Sequence, residues 1–243
     1  MDNTMRISLW SGPRNISTAL MYSFAQRSDT TVVDEPLYAH YLTTTDAHTY
    51  HPGAEEVIAS QEPDGEKVVK QILFGAYETP VVFFKNMTHH LAGLDWEFLK
   101  KTKNLILTRD PADMLPSYTK QVEKPTMRDV GYEMHLELIR FLKKNSQPFH
   151  IIDSKAVLMN PESELTAVCD FLGIPFERGM LSWRAGPRPE DGVWAKYWYH
   201  NVHKSIGFQP YQPREEEIPL ELKPLYIECR RAYEKILSHA LNQ

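Results

Sequence analysis

The chain has little with which to staple itself or to leave an aqueous compartment. Two cysteines in 243 residues, Cys169 and Cys229, leave no disulfide framework, and they form neither a CxxC pair nor a Cys/His zinc pattern. Both fall on apolar faces of expected helices, where a buried thiol packs as a small hydrophobe. No apolar run approaches the roughly 20 residues that span a bilayer. There is no HExxH motif, and His200 and His203, three residues apart, are a weak ligand pair, so no metal site is expected. Positive charge is not in excess: 27 Lys and Arg stand against 32 Asp and Glu, net -5. That balance gives no whole-molecule attraction to nucleic acid or an anionic membrane, so any phosphate site must be local. With no signal-peptide pattern and few cysteines, a soluble protein of a reducing, cytoplasmic compartment is expected.

What is present is ordinary globular usage, 42% hydrophobic and 24% charged, without internal repeats or low-complexity tracts. The length suits one domain over 1–243 with a sizeable core. Short β-branched or aromatic runs at Arg6 to Trp10, Thr31 to Val33, Val81 to Phe84, Leu105 to Leu107 and Phe149 to Ile152 alternate with helical stretches. Runs so short, separated by helices, predict strands buried on both faces of a mostly parallel sheet flanked by helices, an α/β fold. Asn160 as N-cap, Pro161 at the first helical position and Gly173 beyond Leu172 bracket one helix. Leu222, Leu225, Tyr226, Cys229, Tyr233, Ile236, Leu237 and Ala240 recur at spacings of three and four and predict a docked final helix. Residues 42–66 read as a polar, irregular insertion, and Arg184 to Gln212 as an ordered functional loop.

The first run ends in a Gly-Pro turn that opens a helical pattern, and Ser11-Gly12-Pro13-Arg14-Asn15-Ile16-Ser17-Thr18 sits at that junction. A helix start presents free backbone N–H groups and the positive end of its dipole. Arg14 adds a bidentate cation, and Asn15, Ser17 and Thr18 add polar side chains. A Walker A loop would place Gly and Lys where this chain has Ile16 and Ser17, which disfavours nucleoside triphosphate hydrolysis. A second anion element follows the Leu105 to Leu107 run, where Arg109 stands at a strand end, Asp110 and Pro111 start a helix, and Ser117 lies eight residues on. Carboxyl ends of strands are where open α/β sheets bind ligands.

These motifs resemble those of the P-loop-fold sulfotransferases that use 3'-phosphoadenosine 5'-phosphosulfate (PAPS). Their 5'-phosphosulfate loop, P-[KR]-x-G-[ST]-[ST], is similar to Pro13 to Thr18 except that Ile16 replaces Gly, a residue that lets backbone approach phosphate closely. Their 3'-phosphate element is similar to Arg109 and Ser117. Their x-x-P-[ED] segment and F-L-G-[IL]-P helix end resemble Asn160-Pro161-Glu162 and Phe171 to Pro175. The resemblance implies a three-layer sandwich, PAPS as co-substrate without metal, and a small-molecule or carbohydrate acceptor. It further implies nucleotide contacts from Arg14, Asn15, Ser17, Thr18, Arg109 and Ser117, with Arg188 and Trp194 from a covering element whose spacing departs from the family's.

For catalysis the resemblance implies cationic help from Arg14 and Lys85 at the leaving phosphate. Where cytosolic members place a histidine base, two residues after such a lysine, this chain has Met87. Asp34-Glu35-Pro36-Leu37-Tyr38 resembles the E-P-L segment of the carbohydrate-sulfating branch, which makes Glu35 the candidate base; His89, His90, His40, His200 and His203 remain alternatives. A catalytically inactive nucleotide-binding module and a small-molecule kinase are the competing functions.

Overall fold

The computed structural model describes residues 4–213 and 217–240. Five strands, β1 (Met5–Ser11), β2 (Thr30–Asp34), β3 (Val81–Met87), β4 (Lys103–Thr108) and β5 (Phe149–Asp153), form one parallel sheet in the order β2-β3-β1-β4-β5. Each contains one of the five apolar runs. The extra residues sit mostly at carboxyl ends, where Asp34, Lys85, Asn86 and Thr108 interrupt the apolar pattern while keeping the ladder.

Alternation along each strand separates two cores. Trp10, Val82, Phe84, Ile106 and Ile151 face one side and meet the helices Tyr132–Lys144 and Lys223–Ala240. Ile7, Leu9, Phe83, Leu105 and Leu107 face the other and pack on α1 (Ser17–Phe24) and the helix Pro161–Leu172. The result is a parallel sheet between two helical layers, the expected class. Cys169 and Cys229 are buried and free within these layers, and burial pushes their thiols up to about 11 and about 12.

Local chemistry sets the helix ends. Asp110 accepts from the Ala112 N–H at 2.9 Å with Pro111 at the first position, and Asn160 accepts from the Ser163 N–H at 3.3 Å; such caps contribute about 1 kcal/mol each. Gly173 closes its helix at φ 75°.

The 42–66 segment differs from its reading as irregular. It carries the end of α2 (Tyr38–Thr44), a 3-10 turn Asp46–Thr49 and α3 (Ala54–Ser60). Its polar residues are the outer faces of helices whose inner faces, Tyr38, Tyr41, Leu42, Ala47 and Val57, form a third small core with Trp194 and Tyr199. Residues 184–212 are ordered by short turns at Ala195–Trp198 and Val202–Lys204 and by a bridge between Ser182 and Gly207. Among the described residues no helix is long and apolar enough to cross a membrane.

Candidate functional site

From β1 the chain moves to one side of the sheet to build β2 and β3, then to the other to build β4 and β5. The connections therefore diverge at β1, which opens a crevice at the carboxyl ends of the strands. A cavity of about 360 Å³ lies there, a size ordinary for small-ligand sites. Its lining includes Arg14, Asn15, Ser17, Thr18, Glu35, Lys85, Arg109 and Ser117, residues drawn from the β1–α1 turn and the start of α1, the carboxyl ends of β2, β3 and β4, and the helix Pro111–Tyr118.

The β1–α1 loop is shaped by close approach and by a strained residue. A Cβ on Gly12 would lie 3.0 Å from the Val130 carbonyl oxygen, so the turn accepts little more than hydrogen there. Arg14 adopts φ 51°, a left-handed conformation that disfavours a residue with a Cβ by about 1–2 kcal/mol. Arg109 Nη1 holds it by donating to the Arg14 carbonyl at 2.8 Å. The Arg14 guanidinium donates from Nε to Ser117 Oγ at 3.0 Å and from Nη1 to the Trp198 carbonyl at 3.2 Å. The two anion elements, distant in sequence, thus meet in one corner. No side chain caps the start of α1, so Ser17 and Thr18 stand beside an uncapped, positive helix end.

Ile16 stands at φ -91°, ψ 21°, which any L-residue can adopt. Its N–H is engaged by Asn15 Oδ1 at 2.9 Å. Asn15 is itself fixed by Ser154 Oγ and by donation to the Leu107 carbonyl at 3.2 Å.

On the opposite side of the loop, β2 and β3 place Asp34 directly opposite Lys85. All three Lys85 protons are used: Nζ donates to Asp34 Oδ1 at 3.0 Å, to Glu35 Oε1, and to the Tyr199 hydroxyl at 2.5 Å. The Tyr199 hydroxyl also accepts from the Trp194 indole N–H at 3.1 Å and donates to Asp34 Oδ2 at 2.7 Å. Asp34 Oδ2 additionally accepts from the Gly192 N–H at 3.2 Å. Asp34 is thereby saturated, whereas Glu35 faces the cavity. Burial raises the Glu35 carboxyl above the ordinary carboxylate range, with Lys85 opposing and Asp34 adding to the rise. Burial works against the Lys85 ammonium, but Asp34 and Glu35 together outweigh it and hold it above its usual value. Burial and the two carboxylates keep Tyr199 protonated. A base in the raised carboxylate range beside a permanent ammonium suits proton abstraction from a hydroxyl. Glu35 adopts φ 41°, and its N–H donates to the Lys85 carbonyl at 2.8 Å while Gln61 donates to its carbonyl at 3.0 Å.

The remaining wall is aromatic and uncharged. His90 stacks between Tyr38 (4.9 Å, 16°) and Tyr41 (5.0 Å, 27°). Tyr38 donates its hydroxyl to, or accepts from, His51 Nδ1 at 2.8 Å, and Tyr118 stacks on Trp198. Burial lowers His51 to about 4 and His89 to about 3, and takes His90 well below its ordinary value. Among the described residues no group of three or more His, Cys, Asp or Glu is arranged to hold a metal ion.

The family described as "Sulfotransferase domain" matches residues 5–220. This chain is a member of the sulfotransferase family. Two curated proteins of Arabidopsis thaliana, "Branched-chain-amino-acid aminotransferase-like protein 2" and "protein 1", are 40% identical to it over 234 residues, 96% of this chain. The chain spans 41% and 42% of their lengths, so their names describe much longer proteins. Solved sulfotransferase structures share the fold. The sulfotransferase from Alicyclobacillus acidocaldarius aligns at TM-score 0.56 and 12% identity, covering 96% of this chain and 94% of that one. Mouse SULT7A1, solved with PAP, aligns at 0.51 and 11%, covering 98% and 86%.

Arg188 and Trp194, expected at the nucleotide of this sulfotransferase-family chain, are not among the residues that line this cavity. Trp194 is buried edge-on to Tyr38 with its N–H spent on Tyr199, and Arg188 lies 5.0 Å over the Tyr22 ring beside Glu190. The 184–212 segment instead lines the cavity with Trp198, Tyr199 and residues 201–209. His203 pairs with Asp191 at 2.9 Å, and His40 donates from Nε2 to the Ala92 carbonyl at 2.9 Å. The pairing of Asp34 and Tyr199 with Lys85 was not anticipated from the sequence. The available signal was a lone acid closing the β-branched run Thr30–Asp34.

Proposed function

We propose that this sulfotransferase-family protein moves a sulfuryl group from PAPS to a hydroxyl of a small acceptor. The observation that carries this reading is the continuity of two sites in one cavity. The Arg14–Ser117–Arg109 corner offers cations and hydroxyls to a bisphosphate nucleotide, and the Glu35–Lys85 pair opens into the same space.

In the transfer the acceptor oxygen forms a bond to sulfur, the sulfur–phosphate oxygen bond breaks, and the bisphosphate leaves. The acceptor's proton goes to Glu35. Arg14 and Lys85 stabilise charge growing on the leaving phosphate, the dominant electrostatic contribution in such in-line transfers. Because every Lys85 proton is engaged, Lys85 must release one partner to help the leaving oxygen. Protonation of Glu35 is the event that weakens its hold.

Placement in the carbohydrate-sulfating branch rests on the segment Asp34 to Tyr38 alone. A catalytically inactive nucleotide-binding module is the second reading, favoured by one observation: the Ile16 amide is already taken by Asn15. Thermal stabilisation by 3',5'-bisphosphoadenosine, AMP and Mg-ATP tests both. At a hundredfold excess over Kd a ligand specific for the native state adds about 2.7 kcal/mol. The bisphosphate is expected to give the largest shift, and preference for Mg-ATP overturns the proposal in favour of a kinase. Bisphosphate binding without sulfate transfer to any acceptor in a panel selects the inactive module.

A further inference from the structure

His89 and His90 have no part in the transfer as described, yet both line the cavity beside Glu35 and Lys85. They are 3% and 1% exposed, in the 3-10 turn Thr88–Leu91 that follows β3. Their rings are fixed by packing. His90 is sandwiched between Tyr38 and Tyr41, and His89 lies edge-on to Tyr41 at 4.7 Å and to His90 at 4.8 Å.

The two ring nitrogens of each histidine differ. Nδ1 of both is sealed from solvent without a hydrogen-bond partner. Nε2 is not sealed and makes no hydrogen bond among the described residues, so it is left to the cavity that the rings line. A neutral imidazole carries one N–H and one lone pair. Placing the proton on Nδ1 would strand a donor inside the protein, whereas an under-satisfied buried acceptor is the more tolerated defect. The proton therefore belongs on Nε2. In that tautomer neither ring can take a proton from an acceptor hydroxyl through the nitrogen it presents; both donate.

We infer that His89 and His90 are specificity-determining residues. They present a pair of uncharged N–H donors that hold an oxygen of the acceptor, and they select an uncharged, ring-bearing hydroxy compound over an amine or a carboxylate. The walls agree with that class. Tyr38, His90, Tyr118 and Trp198 offer ring faces, and the one ammonium in the chamber, Lys85, already faces two carboxylates. A cationic tail would meet two N–H donors, and the carboxylates Asp34 and Glu35 are already paired with Lys85. An anionic tail would lose its hydration at the histidine end of the chamber, where Tyr38, Tyr118, Trp198 and the two imidazoles are neutral, while the Arg14 and Arg109 guanidinia of the same cavity are assigned to the bisphosphate. The low proton affinity that burial imposes on both imidazoles keeps them uncharged across the physiological range.

The inference rests on the sulfotransferase reading, and the test separates the two. Protein loaded with 3',5'-bisphosphoadenosine is titrated with 4-ethylphenol, tyramine and 4-hydroxyphenylacetate, which share a phenol and differ in tail charge. Binding is followed by ligand-observed NMR, and turnover with PAPS is measured in parallel. The neutral phenol is expected to bind about tenfold more tightly than either charged one, the scale of a mispaired or desolvated polar group. In His89→Phe and His90→Phe, which keep the rings and remove the donors, its Kd and KM should rise by roughly fivefold to tenfold. The bisphosphate-induced Tm shift reports that each variant is folded, and His90→Asn, which restores a neutral N–H, should recover part of the loss. Absence of the bisphosphate shift in the wild type overturns the sulfotransferase reading. A bisphosphate shift with no binding of 4-ethylphenol, with equal binding of the charged phenols, or with unchanged KM in both Phe variants overturns the assignment of the two histidines.

Discussion

Replacing Glu35 with Gln separates its role as base from its role as counter-ion. Gln keeps the size of the side chain and removes its charge and proton affinity. Loss of a positioned general base lowers rate by ~10²–10⁴-fold, which corresponds to ~3–5 kcal/mol on the barrier. Breaking a buried ion pair can destabilise by ~3–5 kcal/mol when a charge is stranded, but Lys85 keeps Asp34 at 3.0 Å and Tyr199 at 2.5 Å. The stability loss should therefore fall well below that range. The sign of the pH effect follows from the direction of the shift. The folded-state Glu35 carboxyl lies above its unfolded value of 4.5, so the native state binds more protons in the window between the two. Glu35 then contributes stability that is full below pH 4.5 and lost as pH rises through the folded value. Activity runs the other way, rising through the same window as the base ionises. Thermal melts and kcat/KM from pH 4.5 to 8 for wild type and Glu35→Gln, with bisphosphate Kd as a control, measure all of this. The variant should lose turnover, keep nucleotide binding and flatten that part of the stability profile. Turnover within about threefold of wild type with binding intact would refute the assignment of Glu35 as base.

Tyr199→Phe removes one hydroxyl from Lys85, Asp34 and Trp194 together; a loss of ~1–3 kcal/mol in chemical denaturation and a fall in kcat larger than any rise in KM are expected. Arg109→Ala frees the Arg14 carbonyl and removes a cation from the anion corner, so bisphosphate Kd by calorimetry should rise by about 10–100-fold, the scale of a charge-assisted bond. Ile16→Gly removes a side chain packed against the α1 face of the sheet and should cost about 1–2 kcal/mol. Its nucleotide affinity should stay near wild type, because the φ of -91° requires no glycine; tighter binding by more than about tenfold would show that the Ile16 side chain obstructs the phosphate.

The sheet was legible because its strands are buried on both faces, which leaves short apolar runs such as Val81 to Phe84 between helices. Their carboxyl ends were harder to place, since Lys85 and Asn86 look like loop residues until the parallel partners are known. Helix caps at Asp110 and Asn160 were readable because capping is local chemistry. Helices α2 and α3 were not, because their outer residues are polar and His40 occupies an inward position of α2. The Arg14, Arg109 and Ser117 set could be proposed from spacing, but their direct contact depends on strand order. Tyr199 reaches Asp34 across 165 positions, a separation with no local signature. Arg188 and Trp194 were named from motif order, and the structure packs Trp194 against Tyr38 and Arg188 over Tyr22, outside the cavity lining.

The order β2-β3-β1 has a consequence for biosynthesis. β3 threads between two strands that leave the ribosome earlier, with Met5 paired to Val81 and Asp34 to Lys85. At ~5–20 residues per second, β1 waits roughly 4–15 s for that partner. Until then it has bare edges on both sides, the condition that invites pairing with a neighbouring chain. Nascent chains that stop short of residue 81 should accordingly depend on chaperones, and the Lys85–Glu35 pair comes into being only when β3 locks the first half of the sheet.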